Sequence, residues 1–180
     1  MNILLGVTGS IAAYKAAELA NILTKQGHDV HTILTSAALK FVSSLTFQAL
    51  TKHKVYTDMF EEIVYEDIRH ISLAQKADII LIAPASANII GKLAAGIADD
   101  MLSTTVMVAD ASRTVICPAM NTAMYHNPIV CNNIEKLAEF GYKFIEPRES
   151  LLACGDFGKG AMADIEIILE YIQKLNKLKD

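Results

Sequence analysis

Cysteine is scarce in this 180-residue chain, basic residues form no block, and no apolar run is long; each shortage closes off a class of function. Three cysteines with no Cys-x-x-Cys spacing suit neither a disulfide framework nor a zinc site, so reduced thiols and no metal are expected. Lys and Arg number 16 against 20 Asp and Glu, and the one basic cluster is the short tail Lys174, Lys177, Lys179. That is no footprint for a phosphate backbone, and no nucleic acid partner is expected. Apolar runs such as Ile79 to Ala83 fall far short of the ~20 residues that span a bilayer. The N-terminus also lacks the basic start and cleavage site of a secretion signal. No membrane association and a cytoplasmic location are therefore expected. Missing too are the Gly-x-Gly-x-x-Gly fingerprint of dinucleotide sites and the Gly-x-x-x-x-Gly-Lys loop of nucleotide triphosphate sites.

What is present is apolar. Hydrophobic residues make up 52% and charged residues 20%, which excludes intrinsic disorder and allows a sizeable core in one domain spanning 1–180. Short apolar runs at Asn2 to Val7, Val30 to Leu34, Asp78 to Ala83, Thr114 to Cys117 and Tyr142 to Ile145 alternate with helical periodicity, as at Ala13, Ala16, Ala17, Ala20 and Leu23. Pro84 and Pro118 are expected to stop the strands before them. Helices are expected from about Ala87 to Ala95, near Asn127 to Phe140, and from Ile165 onward. This alternation predicts an α/β fold, a three-layer doubly wound parallel sheet of flavodoxin-like or Rossmann-like type. Two stretches, Phe41 to His70 and Ile145 to Asp164, read as long connections, which in compact domains tend to be functional or mobile.

In such sheets ligands bind beyond the carboxyl ends of the strands, and four turns fall there: Gly9-Ser10, Thr35-Ser36, Pro84 to Asn88 and Pro118 to Asn121. The first sets a glycine and a hydroxyl at a helix start, an arrangement suited to a phosphate and equally to a plain tight turn with a helix cap. Thr35-Ser36 stands where a dinucleotide site has the acid that holds a ribose, which disfavours NAD. In the third turn, small residues let a flat ligand approach the backbone, while Ser86 and Asn88 serve either a helix cap or the polar edge of a ring. Among the histidines, His28 and His31 read as edge positions, His53 as part of a charged loop and His126 as part of a turn. His70 opens the helix into the strand at Asp78 to Ala83. Cys117 and Cys131 read as small hydrophobes, whereas Cys154 lies among Gly155, Gly158 and Gly160 in a mobile loop.

Taken together, Gly9 to Ala13, His70, Pro84 to Asn88, Pro118-Ala119-Met120-Asn121 and Leu152-Ala153-Cys154-Gly155-Asp156 resemble the flavin-dependent cysteine decarboxylase family over about Asn2 to Asp164. The resemblance implies FMN bound between the subunits of a homotrimer, with trimers sometimes assembled further, as in a homododecamer. It implies cofactor contacts from Gly9, Ser10, Thr35, Phe41, Ala85, Ser86, Ala87, Asn88 and Ala119. Substrate contacts would come from Asn121, Met120, Ala153 and Gly155, with His70 and Asn121 facing the substrate carboxyl group. His70 and Cys154 would be catalytic, Cys154 as the acid on a flap at about 148–163. The implied substrate is 4'-phosphopantothenoylcysteine, decarboxylated to 4'-phosphopantetheine for coenzyme A synthesis. One position departs from the pattern: Ala161 stands where the family often has Arg, which bears on contacts to the substrate phosphate. The condensation that makes the cysteine adduct is expected on another chain.

The implied chemistry answers a real difficulty. Direct loss of CO₂ from a cysteine amide leaves a carbanion with no electron sink beside it. Removing a hydride from the thiol-bearing carbon first gives a thioaldehyde, and CO₂ loss then yields an enethiol, which the same hydride reduces. A thiol with a pKa near ~8.5 suits the last proton transfer. The resemblance leaves three other readings: decarboxylation of a C-terminal peptidyl cysteine, flavin prenyl transfer, and a flavin-holding regulatory subunit. The Pro-Ala-Met-Asn segment and Cys154 argue against prenyl transfer, and the lack of long acidic extensions argues against the regulatory subunit.

Overall fold

Six parallel strands form the central layer of the molecule, which a computed structural model describes at residues 1–60, 68–151, 155 and 157–177. β1 (Asn2–Val7), β2 (Asp29–Leu34), β3 (Val55–Tyr56), β4 (Ile79–Ala85), β5 (Thr114–Pro118) and β6 (Lys143–Phe144) lie in the order β3-β2-β1-β4-β5-β6. That is the Rossmann order of the doubly wound family, and it reverses between β1 and β4. The central strands are buried on both faces, so their side chains feed two cores. Ile3, Leu5 and Val7 pack toward α1 (Ala13–Lys25) and α8 (Ile165–Lys177) with Leu19, Leu23, Ile168 and Ile172. Leu4, Ile80 and Ile82 pack the other way with residues of α4 (Ala87–Ala95), α5 (Met101–Val108) and α7 (Pro128–Glu139). Both predicted layers of helices are therefore present.

The long connections carry structure that the sequence reading left out. Phe41 to His70 contains α2 (Ser44–Thr51), capped by Ser43, as well as the edge strand β3 and the start of α3 (Arg69–Lys76). Ile145 to Asp164 contains an antiparallel hairpin, β7 (Arg148–Leu151) with β8 (Phe157–Ala161), where a loop was expected. Pro84 does not stop its strand: β4 continues to Ala85, with a shift of register against β5 between Ile82 and Ala85. A proline lacks only the N–H donor, and at the strand's carboxyl end its carbonyl still serves, accepting from the Thr8 amide and hydroxyl. Pro118 likewise ends β5 from inside it.

α5 starts at a capping box. The Asp100 carboxylate accepts from the Ser103 amide at 2.8 Å, and the Ser103 hydroxyl lies 3.1 Å from the Asp100 amide that donates to it. Burial alone would raise the Asp100 pKa, but the Lys92 ammonium at 2.7 Å and the Ser103 donors outweigh it and hold it below its ordinary value. The histidine reading also needs correction. His31 lies within β2, an inner strand covered by β3, rather than on an edge. There Asp29 accepts from the His53 ring at 2.6 Å, and His53 stacks on His31 with centroids 4.2 Å apart, which ties the α2–β3 connection to β2.

Candidate functional site

Where the strand order reverses, the carboxyl ends of β1 and β4 feed two helices whose first turns converge. Thr8 joins them: its buried hydroxyl donates to the Pro84 carbonyl at 2.8 Å and accepts from the Ser86 amide at 2.9 Å. Neither α1 nor α4 has a side-chain cap or an acid in its first turn. α3, which does not reach this place, is uncapped too, whereas α2, α5, α7 and the short α6 (Thr122–Tyr125) have Ser43, Asp100, Asn127 and Asn121 accepting at their N-termini. At α1 the Ser10 carbonyl and the Ala12 carbonyl take up the Ala13 and Lys15 amides, whereas the α4 start leaves amide donors, so two positive dipole ends, one with open donors, are aimed at one place, which suits an anion.

The backbone there is closely fitted. A Cβ at Gly9 would lie 2.5 Å from the Ala37 Cβ and 3.2 Å from its carbonyl carbon, so only glycine lets the first and second turns meet. Thr35 sets that second turn, its amide bonded to the Val7 carbonyl at 3.1 Å and its hydroxyl accepting from the Ala38 amide at 3.2 Å. Ser10 accepts from the Ala12 amide at 3.3 Å, a weak local bond.

These turns open into a cleft of about 510 Å³, within the ~300–1,000 Å³ usual for small-molecule sites. Gly9, Ser10, Phe41, Ser86, Ala87, Ala119, Met120 and Asn121 line it. So do residues the sequence reading did not single out, among them Tyr14, Lys15, Met124, Arg148 and Ser150. The far wall is the hairpin, whose Gly160 carbonyl accepts from the Met120 amide at 2.9 Å. Any Cβ at Gly160 would collide with the Met120 carbonyl oxygen, and one at Gly158 would lie 2.6 Å from the Thr122 hydroxyl. Two glycines thus press the hairpin onto the Met120–Thr122 turn. The β5 end is joined to β4 by the Ala119 amide, which donates to the Ala85 carbonyl at 2.9 Å.

Other expected site residues lie elsewhere. Ala85 is fully buried in its strand and Asn88 is exposed; with Thr35, neither is among the residues lining the cleft. His70 is half-buried in the first turn of α3 and does not line the cleft of its own chain. Gly155 is exposed with a left-handed φ of 90°, a conformation that favours glycine. Cys154 and Ala153 lie outside the described residues. The remaining cysteines are inert by placement: burial pushes the Cys117 thiol pKa up, and half-buried Cys131 donates to the Tyr125 carbonyl at 3.4 Å. No helix among the described residues is long and apolar enough to cross a membrane.

A family model described as Flavoprotein matches residues 1–177. The chain is 47% identical over 173 residues to a probable phosphopantothenoylcysteine decarboxylase of Streptococcus mutans, covering 96% of this chain and 97% of that protein. It is 52% identical over 173 residues to the coenzyme A biosynthesis bifunctional protein CoaBC of Bacillus subtilis, covering 96% of this chain but 42% of the relative. The chain thus spans less than half of the bifunctional relatives it matches. Among solved structures it is similar to a Cys-to-Ser variant of a PPC decarboxylase complexed with pantothenoylaminoethenethiol, with a TM-score of 0.90, 32% identity and 98% of both chains covered. A second similar structure is the FMN-dependent cysteine decarboxylase SpaF, at TM-score 0.85 and 31% identity, covering 100% of this chain and 98% of that one.

Proposed function

The chain belongs to the flavoprotein family, and from that premise we propose that it binds FMN and decarboxylates 4'-phosphopantothenoylcysteine to 4'-phosphopantetheine. The observation that carries the cofactor is the pair of uncapped helix starts at the Gly9–Ala37 contact. A terminal phosphate there would accept from the first-turn amides of α4 and from the Ser10 and Ser86 hydroxyls, the Ala12, Ala13 and Lys15 amides of α1 being already engaged by Ser10 and Ala12. The cleft's small walls at Ala87 and Ala119 would admit a flat ring against the backbone. Bound FMN would supply the oxidation of the thiol-bearing carbon and the later return of that hydride.

The protein's own part is positioning and proton control. Asn121 Oδ1 accepts from the Ala123 amide at 2.8 Å, which fixes its turn, and the residue would face the substrate carboxyl group beside Met120. The hairpin, as the flap over about 148–163, would cover the substrate and exclude water while CO₂ leaves. Ala153 and Gly155 would line its inner side, and Cys154 would deliver the final proton. The choice of a phosphorylated pantothenoyl substrate over a peptide is favoured by the identity of 47% with the streptococcal decarboxylase against 25% with the peptidyl-cysteine decarboxylase EpiD.

His70 would act on the cleft of a neighbouring subunit, in a homotrimer or a multiple of it such as a dodecamer, working in the cytoplasm. That it does not line the cleft of its own chain supports this. So do the exposed apolar side chains Ile11, Tyr14, Phe41, Met124 and Leu151 along the cleft wall, which assembly would cover. Mixed oligomers of inactive His70→Asn and inactive Asn121→Asp chains will regain part of the activity, because some sites then join an intact His70 to an intact Asn121. Hybrids as inactive as their parents would place both residues in one chain's site.

The purified protein will be yellow, and heat extraction will release FMN at close to one per chain, with no FAD. A protein that stays colourless after incubation with FMN would refute the cofactor assignment.

A further inference from the structure

We propose that Arg148 recognises the substrate's terminal phosphate, taking up from β7 a role for which β8 offers only Ala161; the assignment rests on the substrate proposed above. Arg148 and Ala161 are register partners in the antiparallel hairpin, so their side chains leave the same face side by side. Both line the cleft. Among the described lining residues the only cations are Lys15 and Arg148.

Arg148 is also oriented for the task. Its Nε forms an ion pair with the Asp164 carboxylate at 3.0 Å, at 39% side-chain exposure, but without hydrogen-bond geometry, and the guanidinium makes no hydrogen bond among the described residues. The terminal nitrogens are therefore left to fork a phosphate, a geometry that guanidinium matches and ammonium does not. Position along the cleft agrees. Arg148 is at the end of β7 away from the 152–156 connection that carries Cys154. Four strand residues advance ~10 Å, which sets the arginine apart from the reacting end, as a distal anion requires.

The test uses the flavin-loaded protein and two stable ligands, 4'-phosphopantetheine and pantetheine, titrated by calorimetry. The unaltered protein will bind the phosphorylated ligand ~10- to 100-fold more tightly, the range expected of hydrogen bonds to a charged group. Arg148→Met, which keeps the aliphatic stem, will bring the two affinities near parity with the flavin spectrum unchanged. In the double variant Arg148→Ala with Ala161→Arg, the preference will return, since the guanidinium is restored on the neighbouring strand. A preference that survives Arg148→Met would overturn the proposal. So would loss of preference for FMN over riboflavin with ligand preference intact, which would assign the arginine to the cofactor's phosphate. Turnover separates this from the reading beneath it. Decarboxylation with a phosphate preference indifferent to Arg148 would overturn the arginine's role alone. A preference that follows the arginine in a protein unable to decarboxylate would support that role and overturn the reaction.

Discussion

Gly9→Asp will yield a folded but colourless protein. The substituted Cβ meets Ala37 at 2.5 Å, which forces the first and second turns apart. Its carboxylate then stands where the phosphate is proposed to bind, beside the α1 start. Two unit charges ~4 Å apart at an effective dielectric of ~20 repel by about 4 kcal/mol, roughly a thousandfold in Kd. Gly9→Ala carries the steric part alone and will lower flavin content less, so the pair separates clash from charge. Circular dichroism will show the native helix content in both. Full flavin occupancy in Gly9→Asp would place the phosphate elsewhere.

Cys154→Ser will divide the catalytic cycle in two. A hydroxyl is a far weaker acid than a thiol of pKa ~8.5, so the final proton transfer slows most while oxidation and CO₂ loss survive. Each site will release one CO₂ and then hold a product two mass units lighter than 4'-phosphopantetheine, the enethiol that lacks two hydrogens. Cys117→Ser and Cys131→Ser will turn over at the normal rate, because one thiol is sealed in a strand and the other is bonded to a carbonyl. His70→Asn will stop before CO₂ release. Normal 4'-phosphopantetheine formation by Cys154→Ser would assign the acid to another group.

The strands that bury both faces were legible because an apolar run bounded by a turn has few other uses: β1 spans Asn2–Val7 as read, and β5 starts at Thr114 as read. Elements held by contacts distant in sequence were not. β3 is two residues that become a strand only by pairing with Thr32 and Ile33, and β7–β8 lacks the alternation that marks a hairpin because glycines there serve a close approach to Met120. α5 did carry a local sign, Asp100 three residues before Ser103, but the consecutive Ser103, Thr104 and Thr105 at its middle, of which Ser103 and Thr105 are buried, hide the apolar helical period. In the site, the turns at Gly9 and Ser86 read equally as ligand or cap; the structure shows no side-chain cap on α4, while Ser10 accepts from the Ala12 and Ala13 amides before α1. The same turns gave no sign of Thr8, whose hydroxyl joins them across 76 and 78 residues. Arg148 was equally silent, because its neighbour Ala161 is set by a register no local pattern declares.

The most direct measurement is anaerobic turnover of 4'-phosphopantothenoylcysteine labelled with ¹³C in its carboxyl group, followed by mass spectrometry on the flavin-loaded protein. FMN-dependent decarboxylation predicts labelled CO₂ and 4'-phosphopantetheine in equal amounts over many turnovers, with no external oxidant or reductant and no product from the flavin-free Gly9→Asp chain. A protein fully loaded with FMN that binds this substrate and releases no labelled CO₂ would contradict the assigned reaction.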